Sequence, residues 1–164
     1  MGTLLEDASL DASVCIALAH VEHLHLLGSL FGRLLLPDSV VRELLDGPGT
    51  FDKAWQVALE RNVVRFESSS IRSIAPGWGL SATDREVVGL AKSHGAWALV
   101  DDAQARRAAT AHDVRVMGTV GVLVASNLRG ACGLIKPLLE KMRQNGFRIR
   151  EDLVVKALRR TGEA

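Results

Sequence analysis

Cysteine is scarce. Only Cys15 and Cys132 occur among 164 residues, both in apolar surroundings. That excludes a disulfide framework and suits a reducing compartment, with both thiols as core filler. Long apolar runs are lacking too: none approaches the roughly 18 residues of a membrane span. The N-terminus, Met-Gly-Thr-Leu-Leu-Glu-Asp, has neither the positive start nor the apolar stretch of a signal peptide. A cytoplasmic protein without membrane attachment is expected. There is no internal repeat and no low-complexity tract. With 48% hydrophobic and 24% charged residues, the composition is that of a globular chain rather than a disordered or collagen-like one. A chain of this length makes one domain, 1–164, able to bury roughly 70% of the surface its unfolded form exposes.

A net charge of +1 hides an asymmetry. Residues 1–60 carry nine acids against three bases, whereas residues 136–160 carry eight bases against three acids. Acid-rich and base-rich sectors in one domain point to a cation site beside a surface for an anionic polymer. The plainer reading of the basic cluster is the solvated face of amphipathic helices.

Periodicity alternates short strands with helices. Strands are expected at Ser9–Ala12, Arg33–Leu36, Val63–Phe66, Trp97–Val100 and Val114–Met117. Helices are expected from Ser13 to about Ala19, through Leu24–Phe31, from Pro37-Asp38-Ser39 to Gly47-Pro48-Gly49, and over Phe51–Arg61. Further helices follow at Ser81–His94, Gln104–His112, after Gly118-Thr119, at Leu134–Asn145 and at Glu151–Arg160; Ser68–Gly79 reads as loop. Strands separated by helices imply a three-layer α/β/α sandwich with a mainly parallel central sheet.

Parallel sheets bind ligands beyond the carboxyl ends of their strands. Asp11 and Asp101-Asp102 fall at two such ends. Asp102 also suits the cap of the helix that follows. In the helix after Ser81, Val87, Val88 and Ala91 form the buried stripe; at about 100° per residue Asp84 falls on that stripe and Glu86 about 130° away, towards solvent. Ser81-Ala82-Thr83-Asp84 also matches a capping box, in which Asp84 reaches back to Ser81. Glu43 lies at the edge of an apolar helix face in Val40-Val41-Arg42-Glu43-Leu44-Leu45. Hard divalent cations take several carboxylate oxygens, which no single segment here supplies alone.

Rival chemistries are weaker. His20, His23 and His25 with Cys15 match no tetrahedral zinc spacing. Gly118-Thr119-Val120-Gly121 lacks the Lys-Ser/Thr ending of a phosphate loop. A phosphohydrolase of the haloacid-dehalogenase type needs Asp-x-Asp near the N-terminus, where this chain has Asp11-Ala12-Ser13. Trp55 and Trp97 read as core; Trp78, between glycines, either stacks on a base or packs on the core.

The ordered acids resemble the signature of PIN domains: Asp11 in Asp-Ala-Ser, Glu43 in Val-Val-Arg-Glu-Leu, Asp84 in Leu-Ser-Ala-Thr-Asp, and Asp101-Asp102 after Ala-Leu-Val. The chain is most similar to a subgroup of small prokaryotic PIN-like proteins predicted to bind nucleic acid. Further matches are Pro37–Leu44, Val100–Arg107, Val116–Leu123 and Gly146–Ile149, so the resemblance runs from about Leu10 to Glu163. It implies an acidic pocket for Mg²⁺ or Mn²⁺ and metal-dependent hydrolysis of RNA. Asp11, Glu43 and Asp84 would be ligands, Asp101 and Asp102 would share the fourth position, and Ser13 matches the small hydroxyl residue after the first Asp. Glu86 is a secondary candidate, since the subgroup's Gly-Glu-x-Glu stands here as Thr83-Asp84-Arg85-Glu86. The implied partners are single-stranded RNA, with Arg106, Arg107, Arg148 and Arg150 on its backbone, a small antitoxin protein if the chain is a toxin, and a second copy in a homodimer. The non-enzymatic alternative is a PIN-fold module that binds a nucleic acid or a protein.

Overall fold

The computed structural model describes residues 3–46 and 62–164. The helix expected at Phe51–Arg61, its preceding Gly47-Pro48-Gly49 stop and Trp55 lie outside the described residues. The elements run β1 (Ala8–Leu10), α1 (Ala12–His20), α2 (Leu26–Leu30), β2 (Leu34–Pro37), α3 (Asp38–Asp46), β3 (Val63–Phe66), α4 (Ala82–His94), β4 (Trp97–Leu99), α5 (Ala103–Ala111), β5 (Val116–Met117), α6 (Thr119–Leu128), α7 (Lys136–Gln144) and α8 (Glu151–Thr161). Between β3 and α4 the chain is irregular apart from one short 3-10 turn at Ser68–Ser70, as its serines, Pro76 and glycines lead one to expect.

The five strands are all parallel, in the order β3-β2-β1-β4-β5. The chain steps outward from β1 to β3, then returns past β1 to lay down β4 and β5. The order therefore reverses between β1 and β4, which puts the crevice of this fold at their carboxyl ends. Alternate residues along each strand serve opposite faces. Ala8, Leu10, Leu34, Leu36 and Leu99 join a core with α1, α2, α3 and α6. Leu35 and Ala98 join a second core with Val88, Leu90 and Ala91 of α4 and Ala108 and Ala109 of α5. Helices thus cover both faces. The α7–α8 pair closes over the first core through Leu139, Met142, Val154 and Ala157.

Two helix ends show the local logic. Ser81 caps α4 by accepting the Asp84 N–H at 3.1 Å, and Gly95, at φ +59, ends it in the left-handed conformation glycine tolerates. Within α4, Gly89 is required by a close crossing: a Cβ there would lie 2.0 Å from the Arg72 carbonyl oxygen. No helix among the described residues is long and apolar enough to cross a membrane.

Candidate functional site

Asp11 follows β1 directly, and its N–H donates to the Leu99 carbonyl of β4 at 3.2 Å, pinning it to the crevice between the two central strands. It holds the extended N-cap conformation of α1 (φ −86°, ψ 150°), yet its carboxylate makes no capping bond. The carboxylate instead accepts the Ser13 hydroxyl at 2.6 Å. Burial pushes the Asp11 pKa up to about 6; the charges of Asp84 and Glu43 add to that rise, against the lowering effect of the Ser13 hydrogen bond. Three acids separated by up to 73 residues therefore share one electrostatic environment.

Asp84 is half-buried on the first turn of α4. Its backbone N–H takes the Ser81 cap, but among the described residues its carboxylate does not reach back to the Ser81 N–H. Only one arm of the capping box forms among the described residues, and the Asp84 charge acts on Asp11. Glu43 stands exposed on α3, as the edge of an apolar stripe requires.

Glu86 corrects the helix-phase reading. It is not turned to solvent but is 9% exposed, and it accepts the Ser39 hydroxyl at 2.5 Å. The periodicity argument sees only the stripe of α4 itself; the start of α3, packed alongside, buries a second strip. The bond joins the helix carrying Glu43 to the helix carrying Asp84.

The two acids after β4 divide their work. Asp102 caps α5, accepting the Ala105 N–H at 2.9 Å. Asp101 takes two bonds from Thr119 at the head of α6: the N–H at 2.8 Å on one oxygen and the hydroxyl at 2.6 Å on the other. Each Asp101 oxygen keeps further acceptor capacity. Gly118 makes this clasp possible, because a Cβ there would sit 2.7 Å from Asp101 Oδ1 and 3.3 Å from an Arg106 nitrogen. The would-be phosphate loop at Gly118–Gly121 thus spends its Thr119 N–H on Asp101. Arg106, half-buried beside it, forms no ion pair with Asp102 among the described residues.

Among the described residues, no three His, Cys, Asp or Glu side chains converge closely enough to form a finished metal cage. The donor set still fits a hard divalent ion. It is all carboxylate oxygen, and one member, Asp11, is held at a raised pKa by burial and then by its acidic neighbours, a cost that a cation relieves. Cys15 is buried in the core, where burial and then the Asp11 charge push its thiol up to about 12. His20 stacks edge-on against Phe147, and His23 lies against His25. Trp78 packs edge-on against His112 at the margin of the second core rather than standing free.

A cavity of about 570 Å³ opens beside the acids, lined by Ser13, Asp101, Arg106, Thr119 and residues of the α7–α8 connection. Thr119, Ser39 and this groove carry no local sequence signal. Each depends on contacts between elements far apart in the chain.

The geometry agrees with the comparisons. In the solved structure of a PilT N-terminus domain protein from Sulfolobus solfataricus P2, 93% of that chain superposes on 74% of this one at 15% identity and a TM-score of 0.52, which is a likeness of fold. No curated protein matches the sequence significantly. The model of a family described as a PIN domain matches residues 9–163, from the strand before Asp11 to the end of the last helix, and so the chain belongs to the PIN-domain family.

Proposed function

We propose that this protein is a ribonuclease that hydrolyses phosphodiester bonds with the help of Mg²⁺ or Mn²⁺. PIN domains are generally nucleases and typically use divalent metals. The observation that carries the reading for this chain is Asp11: a carboxylate at the switch point of the sheet, raised in pKa by burial first and then by two further acids, and given a hydroxyl but no cationic partner among the described residues. Such a site costs stability and is kept for what it binds.

Asp11, Glu43 and Asp84 would hold the ion, with Asp101 lending a lone pair. When bound, such an ion acidifies water and neutralises charge on a phosphate. The chain's own groups do the remaining work. Ser13 fixes the rotamer of Asp11. The Thr119 clasp fixes Asp101 against the start of α6. The Ser39–Glu86 bond sets the spacing of α3 and α4, and with it that of Glu43 and Asp84. Arg106, which forms no ion pair among the described residues, places its guanidinium beside Asp101, where a phosphate oxygen can be gripped. A toxin role with a small antitoxin partner accords with this reading.

One observation favours a second reading, that of a binding module with weak or no catalysis: Asp101 and Asp102 are both engaged in hydrogen bonds, and the described residues form no closed cage. Cleavage of a labelled single-stranded RNA with Mn²⁺ decides between them. The nuclease reading expects activity that is abolished in Asp11→Asn and Asp84→Asn and suppressed by chelator. Metal-independent RNA binding without cleavage is the result the module reading expects.

A further inference from the structure

We propose that the cavity beside Asp11 is a subsite for one unpaired nucleotide of the RNA strand, next to the phosphate on which the acids act. The proposal rests on the nuclease reading above and adds a second set of residues, on the last two helices and their connection. Ser13 and Asp101 belong to the wall of the cavity as well as to the acid site, so the two are continuous. Its volume of about 570 Å³ falls within the roughly 300–1,000 Å³ of small-molecule sites. That is room for a nucleotide.

The lining divides by chemistry. Met142, Phe147, Ile149 and Leu153 supply an apolar side. Phe147 is half-buried, and its ring stands at 88° to that of His20, which holds its orientation. An aromatic side chain among aliphatic ones is the surface on which a base stacks. Arg106, Arg148, Arg150 and Lys156 supply positive charge. Arg150 is spent, since two bonds at 3.0 and 2.9 Å tie it to Asp152. The other three form no ion pair among the described residues. Their charge is available to an anion, and an anion that also presents a flat apolar face is a nucleotide. Of the basic C-terminal sector, then, Arg148 and Lys156 hold the strand, while Arg143, bonded to Glu151 at 2.9 Å, is internal scaffolding like Arg150.

The test is RNA binding by the full chain in chelator, read as fluorescence anisotropy across a salt series. A labelled single strand is compared with a duplex of the same sequence and with a poly-glutamate competitor. The single strand is expected to bind more tightly than the duplex. Arg148→Ala/Lys156→Ala is expected to flatten the slope of log affinity against log salt by about 1.4, two contacts at about 0.7 each. Arg72→Ala/Lys92→Ala removes the same charge from exposed positions that do not line the cavity, and the slope is expected to stay as in wild type. Phe147→Leu keeps apolar bulk but is expected to weaken binding of the intact strand more than of one with abasic sites. Equal slopes for the two double variants, equal affinity for strand and duplex, or displacement of RNA by poly-glutamate at matching charge concentration would overturn the subsite. Such a result alongside cleavage that still depends on Asp11 leaves the nuclease reading standing. Absence of both cleavage and RNA binding in wild type removes both.

Discussion

The acids flanking the central strand β1 are treated in opposite ways at its two ends. At the amino end, Asp7 and Glu6 each have a cation. Asp7 takes three hydrogen bonds from Arg33, at 2.6 to 2.9 Å. Glu6 pairs with Arg115 at 3.0 Å, and that guanidinium also lies over the Trp97 ring, 4.7 Å from its centroid. Burial works to raise the Asp7 pKa, but the Arg33 bonds outweigh it and leave the group lowered. Glu6 is lowered too, by a backbone hydrogen bond first and then by Arg115 and Trp97. At the carboxyl end, Asp11 has a hydroxyl and two like charges, and its pKa is raised. Charges that serve the fold are paired, and charges held unpaired at a cost are the ones to read as function.

The largest expected effect tests the carboxyl end. Asp11→Asn and Asp84→Asn should each lower metal-dependent cleavage by more than about 100-fold, beyond what loss of an outer-shell partner costs. Thermal melts without metal should show Tm unchanged or raised, because a repelling charge has been removed. A clear fall in metal-free Tm for Asp84→Asn would mean that the residue serves the helix start instead.

Gly118→Ala comes next. Its methyl would meet Asp101 Oδ1 at 2.7 Å, so the Thr119 clasp must open, at about 1–3 kcal/mol by denaturant unfolding and with a partial loss of cleavage. Ser39→Ala leaves the buried Glu86 carboxylate without its donor and should cost about 1–3 kcal/mol; Glu86→Gln, which can still bond Ser39, should cost less. If both changes are silent in stability and in cleavage, the strut between α3 and α4 is unimportant.

Acid titration of stability sets the two ends directly against each other. Asp11 protonates at about 6 in the folded chain and near the ordinary value of about 3.9 when unfolded. Between those values the folded chain holds the extra proton, so this group's contribution to stability falls as pH rises through the window. Asp7, with a lowered pKa, contributes stability that is present above about pH 4 and lost as pH falls below it. Tm measured from pH 3.5 to 7 in wild type and Asp11→Asn should diverge towards neutral pH, with the variant the more stable. The smallest effect is expected at the amino end. Arg115→Ala removes an exposed pair and should shift Tm slightly and metal affinity not at all.

The parts of this molecule that were legible in the sequence are those written locally. The strand Trp97–Leu99 reads from an apolar run ended by two acids, and α4 reads from Ser81, its Val87-Val88-Ala91 stripe and Gly95. Asp102 as a cap follows from its place before Ala103. Asp84 falls by helix phase on the stripe of the core, and the residue is half-buried. Glu86 defeated the same argument: its burial is made by Ser39, 47 residues away, and no period of α4 encodes that neighbour. Arg106 stands one turn after Asp102, a spacing that permits an ion pair, but that carboxylate accepts the Ala105 N–H instead. Thr119 was invisible because its role depends on Asp101, across a strand and a helix.

Binding of Mn²⁺, followed by calorimetric titration of the metal-free protein at pH 7.5 beside Asp11→Asn, bears most directly on the claim that the carboxyl end stores charge for a cation. The account expects saturable binding and a rise in Tm for wild type, with both absent in the variant. Wild type that binds no Mn²⁺, or a variant that binds it equally well, would contradict it.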